Sequence, residues 1–187
     1  MKVETTKIEG LLILHPNVFG DDRGWFMESF NQQRFEAALK ELSLPIPTFV
    51  QDNHSLSQKG VLRGLHFQRE PYAQGKLVRV VQGKVWDVAV DIRPESKTYG
   101  QWVGVELSAE NKTMFWIPEG FAHGFQSLTN NTEIIYFVTN YYSKEHDSGL
   151  NPFDSKININ WAMKCTDISE KDKNAKFIDN NFIGIDI

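Results

Sequence analysis

Residues 60–68 read GVLRGLHFQ and set an imidazole, His66, among apolar neighbours and three positions after a cation, Arg63. Histidine is the side chain best suited to take a proton near neutral pH, so His66 is a candidate general base. A half-buried strand with two polar residues on its wet face is the plainer reading of the same stretch. A second histidine, His123, follows a Pro-Gly turn in IPEGFAHGF. Two histidines alone make a poor metal site, because a first-row metal normally takes three or four protein ligands. No HxH pair and no suitably spaced glutamate completes one, so no metal is assigned. Three cations could hold an anion or a developing negative charge: Arg23 in GDDRGWFMESF, Arg63, and Lys76, which opens a strand after Gly75. Tyr136 shares a strand face with Ile134 and Val138 and could bring a hydroxyl to the rim of a core. Asp172, in SEKDKNAK, reads from sequence alone as an exposed charge.

These side chains must be positioned by an all-β core. Trp86, Val88, Val90 and Ile92 alternate with Val85, Asp87, Ala89 and Asp91, the period of a strand. QGKLVRVVQGKVWDVAV reads as a hairpin turning near Gln82-Gly83. QWVGVEL, NKTMFWIP and NNTEIIYFVTNYY add strands bounded by turn residues, the pattern of a sandwich or barrel. One helix is evident: Asn31 is a suitable N-cap, Phe35, Ala38, Leu39 and Leu42 follow at helical spacing, and Pro45 lies past the end. The first 50 residues and the last 35 or so read as decoration around the strands. KVETTKIEGLLILHP alternates like a strand and could pair across a dimer. Strict alternation sends Arg63 and His66 to opposite faces. They serve one pocket only if Gly64 introduces a bulge or the strand begins between them.

The chain has 187 residues, 41% hydrophobic and 24% charged, which suits one soluble domain over residues 1–187. Its net charge of −4 gives no general attraction to nucleic acid or to an anionic membrane, so an anionic ligand needs locally placed Arg and Lys. The single cysteine forms no intrachain disulfide, which fits the cytoplasm. No signal peptide and no membrane-spanning run is read.

Six ordered blocks carry a family resemblance: VFGDDRGWFMESF, FVQDNHSLSQKGVLRGLHFQ, PYAQGKLVRVVQGKVWDVAVDIR, WVGVELSAEN, WIPEGFAHGF and YFVTNYYS. Together they resemble the dTDP-4-dehydrorhamnose 3,5-epimerases. The resemblance implies a cupin-like β jelly roll, a homodimer, no cofactor, and a dTDP-linked 4-keto-6-deoxy sugar as substrate. It implies His66 as base, Tyr136 as opposing acid, Asp172 as the carboxylate behind the base and Lys76 at the C4 oxygen. It further implies that Arg23, Arg63 and Lys171 bind the diphosphate or nucleotide. Glu28, Gln51, Asn53 and His123 match other substrate-binding positions. Asp147 stands where the family commonly has a glutamate, and Trp161-Ala162 stands for a family Trp-Pro.

An enzyme that inverts C3 alone, or acts on another 4-keto sugar nucleotide, keeps the same base, acid and lysine. A metal-dependent cupin would need ligands the spacing does not offer. A non-catalytic binding module would be marked by loss of His66 or Tyr136, and both are present.

Overall fold

The structure, a computed structural model, describes residues 1–179, 182, 184 and 185. Its strands are β1 (Lys2–Thr5), β2 (Leu12–His15), β3 (Val18–Asp21), β4 (Gly24–Met27), β5 (Gln51–Ser57), β6 (Val61–Gln68) and β7 (Lys76–Gln82) in the first half. The second half adds β8 (Lys84–Asp91), β9 (Trp102–Ser108), β10 (Met114–Ile117), β11 (Phe121–Ser127), β12 (Thr132–Val138), β13 (Asp147–Gly149) and β14 (Asp167–Ile168). Two helices, α1 (Gln32–Glu41) and α2 (Glu170–Lys173), complete the set.

Two sheets face each other. The first runs β1-β2-β10-β7-β12-β5 and the second β13-β6-β11-β8-β9, with β14 also on β6, while β3 and β4 form a separate hairpin. All neighbours are antiparallel except β14 with β6. This is the jelly-roll sandwich, with α1 in the N-terminal region and only the one-turn α2 near the C-terminus.

The chain stacks three apolar layers. Between the sheets, Val78, Val80, Phe115 and Ile134 meet Val85, Ala89, Leu107 and Phe125. On the outer face of the first sheet, α1 lays the fully buried Phe35 and Leu39 against Leu12, Leu14, Leu77 and Trp116. The Asn31 side chain caps α1 by accepting from the Arg34 N–H at 3.1 Å. On the outer face of the second sheet, the C-terminal segment packs Leu150, Ile157 and Trp161 on Val88, Val90 and Ile92. Central strands are therefore buried on both faces, which explains why both alternating sets of β8 are apolar-rich.

Two expectations are corrected. β7 and β8 are not a hairpin: β7 lies between β10 and β12, and β8 between β11 and β9, in the other sheet. Gly83, at φ +75°, turns the chain from one sheet to the other, and a Cβ there would stand 2.4 Å from Thr129 Oγ1. A Gln-Gly signal marks a sharp turn without saying which sheet receives the next strand. The N-terminal residues are not decoration either. β1 pairs with β2 and β2 with β10, so this alternating stretch extends the first sheet of its own chain. No helix among the described residues is long and apolar enough to cross a membrane.

Candidate active site

At one end of the sandwich the inward positions change from apolar to polar. On β7 the inner row runs Val80, Val78, Lys76; on β12 it runs Ile134, Tyr136; on β11 it runs Phe125, His123. The result is a cavity of about 360 Å³ between the sheets. The first sheet contributes Tyr136, Lys76, Gln51 and Asn53, and the second Arg63, His66 and His123. Asp147 and Lys171 close one side.

Arg63 and His66 reach the same cavity because β6 carries a bulge. His123 of β11 lies opposite His66 and Phe125 lies opposite Arg63, so three steps on β6 match two on β11. Gly64 is the extra residue. It sits at φ +121°, and a Cβ there would meet the Gly124 Cα at 2.6 Å and the His123 carbonyl oxygen at 2.7 Å. The Gly64–Leu65 peptide is cis. The bulge and the positive φ at Gly64 thus bring Arg63 and His66 to one side of the strand.

His66 and Asp172 form a pair, His66 Nε2 to Asp172 Oδ1 at 2.6 Å. The carboxylate is aimed by the backbone: its Oδ2 accepts the Gly64 N–H at 3.1 Å, and the Asp172 N–H donates to the Ser169 capping hydroxyl at 3.1 Å. Burial opposes ionisation of Asp172, but the His66 contact, the Gly64 N–H and Ser169 together hold its carboxyl below the usual range. Asp172 is 4% exposed, so the surface charge read from sequence is an interior one. With Nε2 committed to Asp172, His66 Nδ1 is the nitrogen left to act as base.

Lys76 is buried, and desolvation lowers its ammonium to about 8, against the pull of Asp87 and Asp147. Its Nζ donates to the His66 carbonyl oxygen at 3.4 Å. Burial raises the Tyr136 hydroxyl above its ordinary value, with Arg63 opposing, so the phenol keeps its proton at neutral pH. Arg63 is held by Ser57 Oγ at 3.0 Å and the Leu56 carbonyl at 3.2 Å. Lys171 pairs closely with Asp147, which also accepts from the Tyr142 hydroxyl at 3.1 Å.

Two predicted binding residues lie elsewhere. Arg23 is on the exposed β3–β4 hairpin and pairs with Asp21. Glu28, just after β4, pairs with Arg34 of α1 at 2.6 Å. Neither lines the cavity of its own chain. Sequence reasoning gave no role to Asp87, Tyr142, Gln68 or Gln74. Asp87 carried a signal, a carboxylate between the apolar Val85 and Ala89 on one face of β8. The exposed Tyr142 carried none.

The sequence profile described as dTDP-4-dehydrorhamnose 3,5-epimerase matches residues 5–180. The chain belongs to the dTDP-4-dehydrorhamnose 3,5-epimerase family. It is 56% identical over 183 residues to the dTDP-4-dehydrorhamnose 3,5-epimerase of Shigella flexneri, covering 97% of this chain and 99% of that protein. The crystal structure of the family enzyme dTDP-6-deoxy-D-glucose-3,5-epimerase from Legionella pneumophila, in complex with dTDP-4-keto-L-rhamnose, superimposes with a TM-score of 0.91 at 46% identity. That match covers 100% of this chain and 98% of the other. A dTDP-4-dehydrorhamnose 3-epimerase of Streptomyces niveus is 33% identical, over 94% of this chain and 83% of its own length. Family membership and the antiparallel sandwich agree: each polar inner-row residue lies on a strand whose apolar half builds the core. Among the described residues, no group of three His, Cys, Asp or Glu side chains is arranged to hold a metal ion.

Proposed function

We propose that this protein inverts C3 and C5 of dTDP-4-dehydro-6-deoxy-D-glucose, giving dTDP-4-dehydro-L-rhamnose. The observation that carries this is the disposition of His66 and Tyr136 on facing sheets, with the buried Lys76 lining the same cavity. A sugar ring lying between the sheets presents one face to each. The C4 ketone acidifies the protons on C3 and C5. His66 Nδ1 takes one of them, the C–H electron pair passes into an enolate, and Asp172 stabilises the imidazolium. Lys76 supplies positive charge at the enolate oxygen. Tyr136 returns a proton to the same carbon from the opposite face, which inverts it. His66 then loses its proton to solvent and the phenolate regains one, and the sequence repeats at the second carbon.

Arg63 and Lys171 are the groups for the diphosphate, Arg63 through its planar fork. Gln51 and Asn53 are sugar or nucleotide contacts, and Asp147 orients Lys171. Tyr142, at the cavity edge, offers a ring on which a base can stack. The homodimer gives Arg23 and Glu28 a place. Phe19, Trp25 and Phe26 are 62%, 59% and 66% exposed on the hairpin that carries Arg23, an apolar surface suited to a second copy. In such a dimer the hairpin brings Arg23 and Glu28 to the partner's cavity. The single cysteine is consistent with a cytoplasmic location.

The relative that inverts C3 alone is 33% identical, against 56% for the 3,5-epimerase, which favours inversion at both carbons. NMR of the product from dTDP-4-dehydro-6-deoxy-D-glucose tests this. Ring-proton couplings of an L-configured 4-keto sugar are expected; a product inverted at C3 only would refute it.

A further inference from the structure

His123 and Asp87 form a second histidine–carboxylate pair at the cavity, with Asp87 Oδ1 2.8 Å from His123 Nε2. The two pairs share a geometry and differ in surroundings. The His66 side chain is 37% exposed, whereas that of His123 is 10% exposed and its Asp87 is fully buried. A carboxylate offers only acceptor oxygens, so it takes the Nε2–H and leaves Nδ1 as the lone pair serving the cavity. Burial, foremost, pushes the His123 imidazole below its ordinary value; Asp87 opposes this, while Lys76 and His66 add to it. A neutral ring of that tautomer cannot donate to an enolate oxygen. Asp87 faces Lys76 as well. Its Oδ2 is buried without a hydrogen-bond partner among the described residues, and its charge is the first of those that keep Lys76 protonated.

We propose that Asp87 is a positioning residue that holds His123 as the neutral Nε2–H tautomer, so that His123 accepts a hydrogen bond from a ring hydroxyl of the sugar and leaves the enolate oxygen to Lys76. The hydroxyl acceptor role rests on the substrate proposed above; the tautomer does not. It gives two carboxylate-paired histidines separate chemistry: His66, wetter and paired with Asp172, takes up a proton, and His123 does not.

The test is long-range ¹H–¹⁵N NMR of the ¹⁵N-histidine-labelled, ligand-free protein at pH 7, with His123 assigned from His123→Gln. A protonated Nε2 and a pyridine-type Nδ1 are expected, and saturation with a dTDP-linked 6-deoxyhexose lacking the ketone should move Nδ1 upfield. In Asp87→Asn the amide can turn its N–H toward Nε2. The tautomer pattern should then reverse or average, and kcat should fall about a hundredfold or more. Asp87→Glu should restore the wild-type pattern. A wild-type Nδ1–H tautomer, an imidazolium, no Nδ1 shift on saturation, or an unchanged tautomer in Asp87→Asn would each overturn the proposal. Because the wild-type spectrum needs neither turnover nor an Asp87 variant, it stands if Asp87→Asn fails to fold or if the reaction proves different.

Discussion

The proposed division of one reaction between His66 and Tyr136 on two faces of a ring requires that their removal fail in different ways. His66→Ala should abolish exchange of substrate protons with solvent. Tyr136→Phe should leave exchange measurable while slowing net inversion on the order of a hundredfold or more. Deuterium uptake and product formation, followed side by side, separate the two outcomes. Equal loss of both in Tyr136→Phe would contradict the assignment of the acid. Lys76 adds a pH signature. Desolvation brings its ammonium down to about 8, so the free enzyme carries the cation below that pH and loses it above. kcat/KM should therefore decline as pH rises through about 8. Lys76→Arg, which keeps its charge, should remove that limb even if overall activity is low. A profile flat to pH 10 in the wild type would rule out a need for the ammonium.

At the scale of elements, the bulge on β6 decides whether His66 and Arg63, the proposed base and phosphate clamp, share a pocket. Gly64→Ala puts a Cβ 2.6 Å from the Gly124 Cα at a φ of +121°. It should cost at least about 2 kcal/mol in chemical denaturation and reduce activity further by turning His66 or Arg63 away. Asn31→Ala, which removes the cap of α1 and the Asn31 Nδ2–H bond to Glu28 on the outer side of the first sheet, should cost about 1 kcal/mol in chemical denaturation. The helix was legible because its cap and its Phe35–Leu39 stripe lie within a dozen residues of each other. The corner at Gly83 was not, because partner choice depends on strands far away in sequence. Asp172 was invisible as an interior residue for the same reason: it is buried by the Gly64 N–H and His66, more than a hundred positions earlier. Family resemblance recovered it where periodicity could not. Asp87 was legible in principle, since a carboxylate in an apolar inner row needs a partner, but the partner, His123, lies on the neighbouring strand of the sheet.

At the scale of the whole molecule, Arg23 on the exposed apolar hairpin and Glu28 just after it stand apart from the cavity of their own chain. Assembly is the part of the fold least readable from one chain, because hairpin residues facing solvent in the monomer would be interior in the dimer. If Arg23 serves the partner's site, then His66→Ala and Arg23→Ala should each be impaired alone. Subunits mixed and allowed to exchange should recover about a quarter of wild-type activity, since half the dimers are mixed and each mixed dimer has one intact site. No recovery, with exchange verified by mass, would place Arg23 at its own chain's site, and an unimpaired Arg23→Ala would place it at none.

The central claim is that one base, assisted by a cation at the ketone oxygen, opens both carbons flanking that ketone. The measurement that tests it most directly is incubation of the protein with dTDP-4-dehydro-6-deoxy-D-glucose in deuterated water, with NMR of the sugar ring. The account predicts deuterium at both C3 and C5, and none at either in His66→Ala. Exchange at C3 alone, or exchange that survives loss of His66, would contradict it.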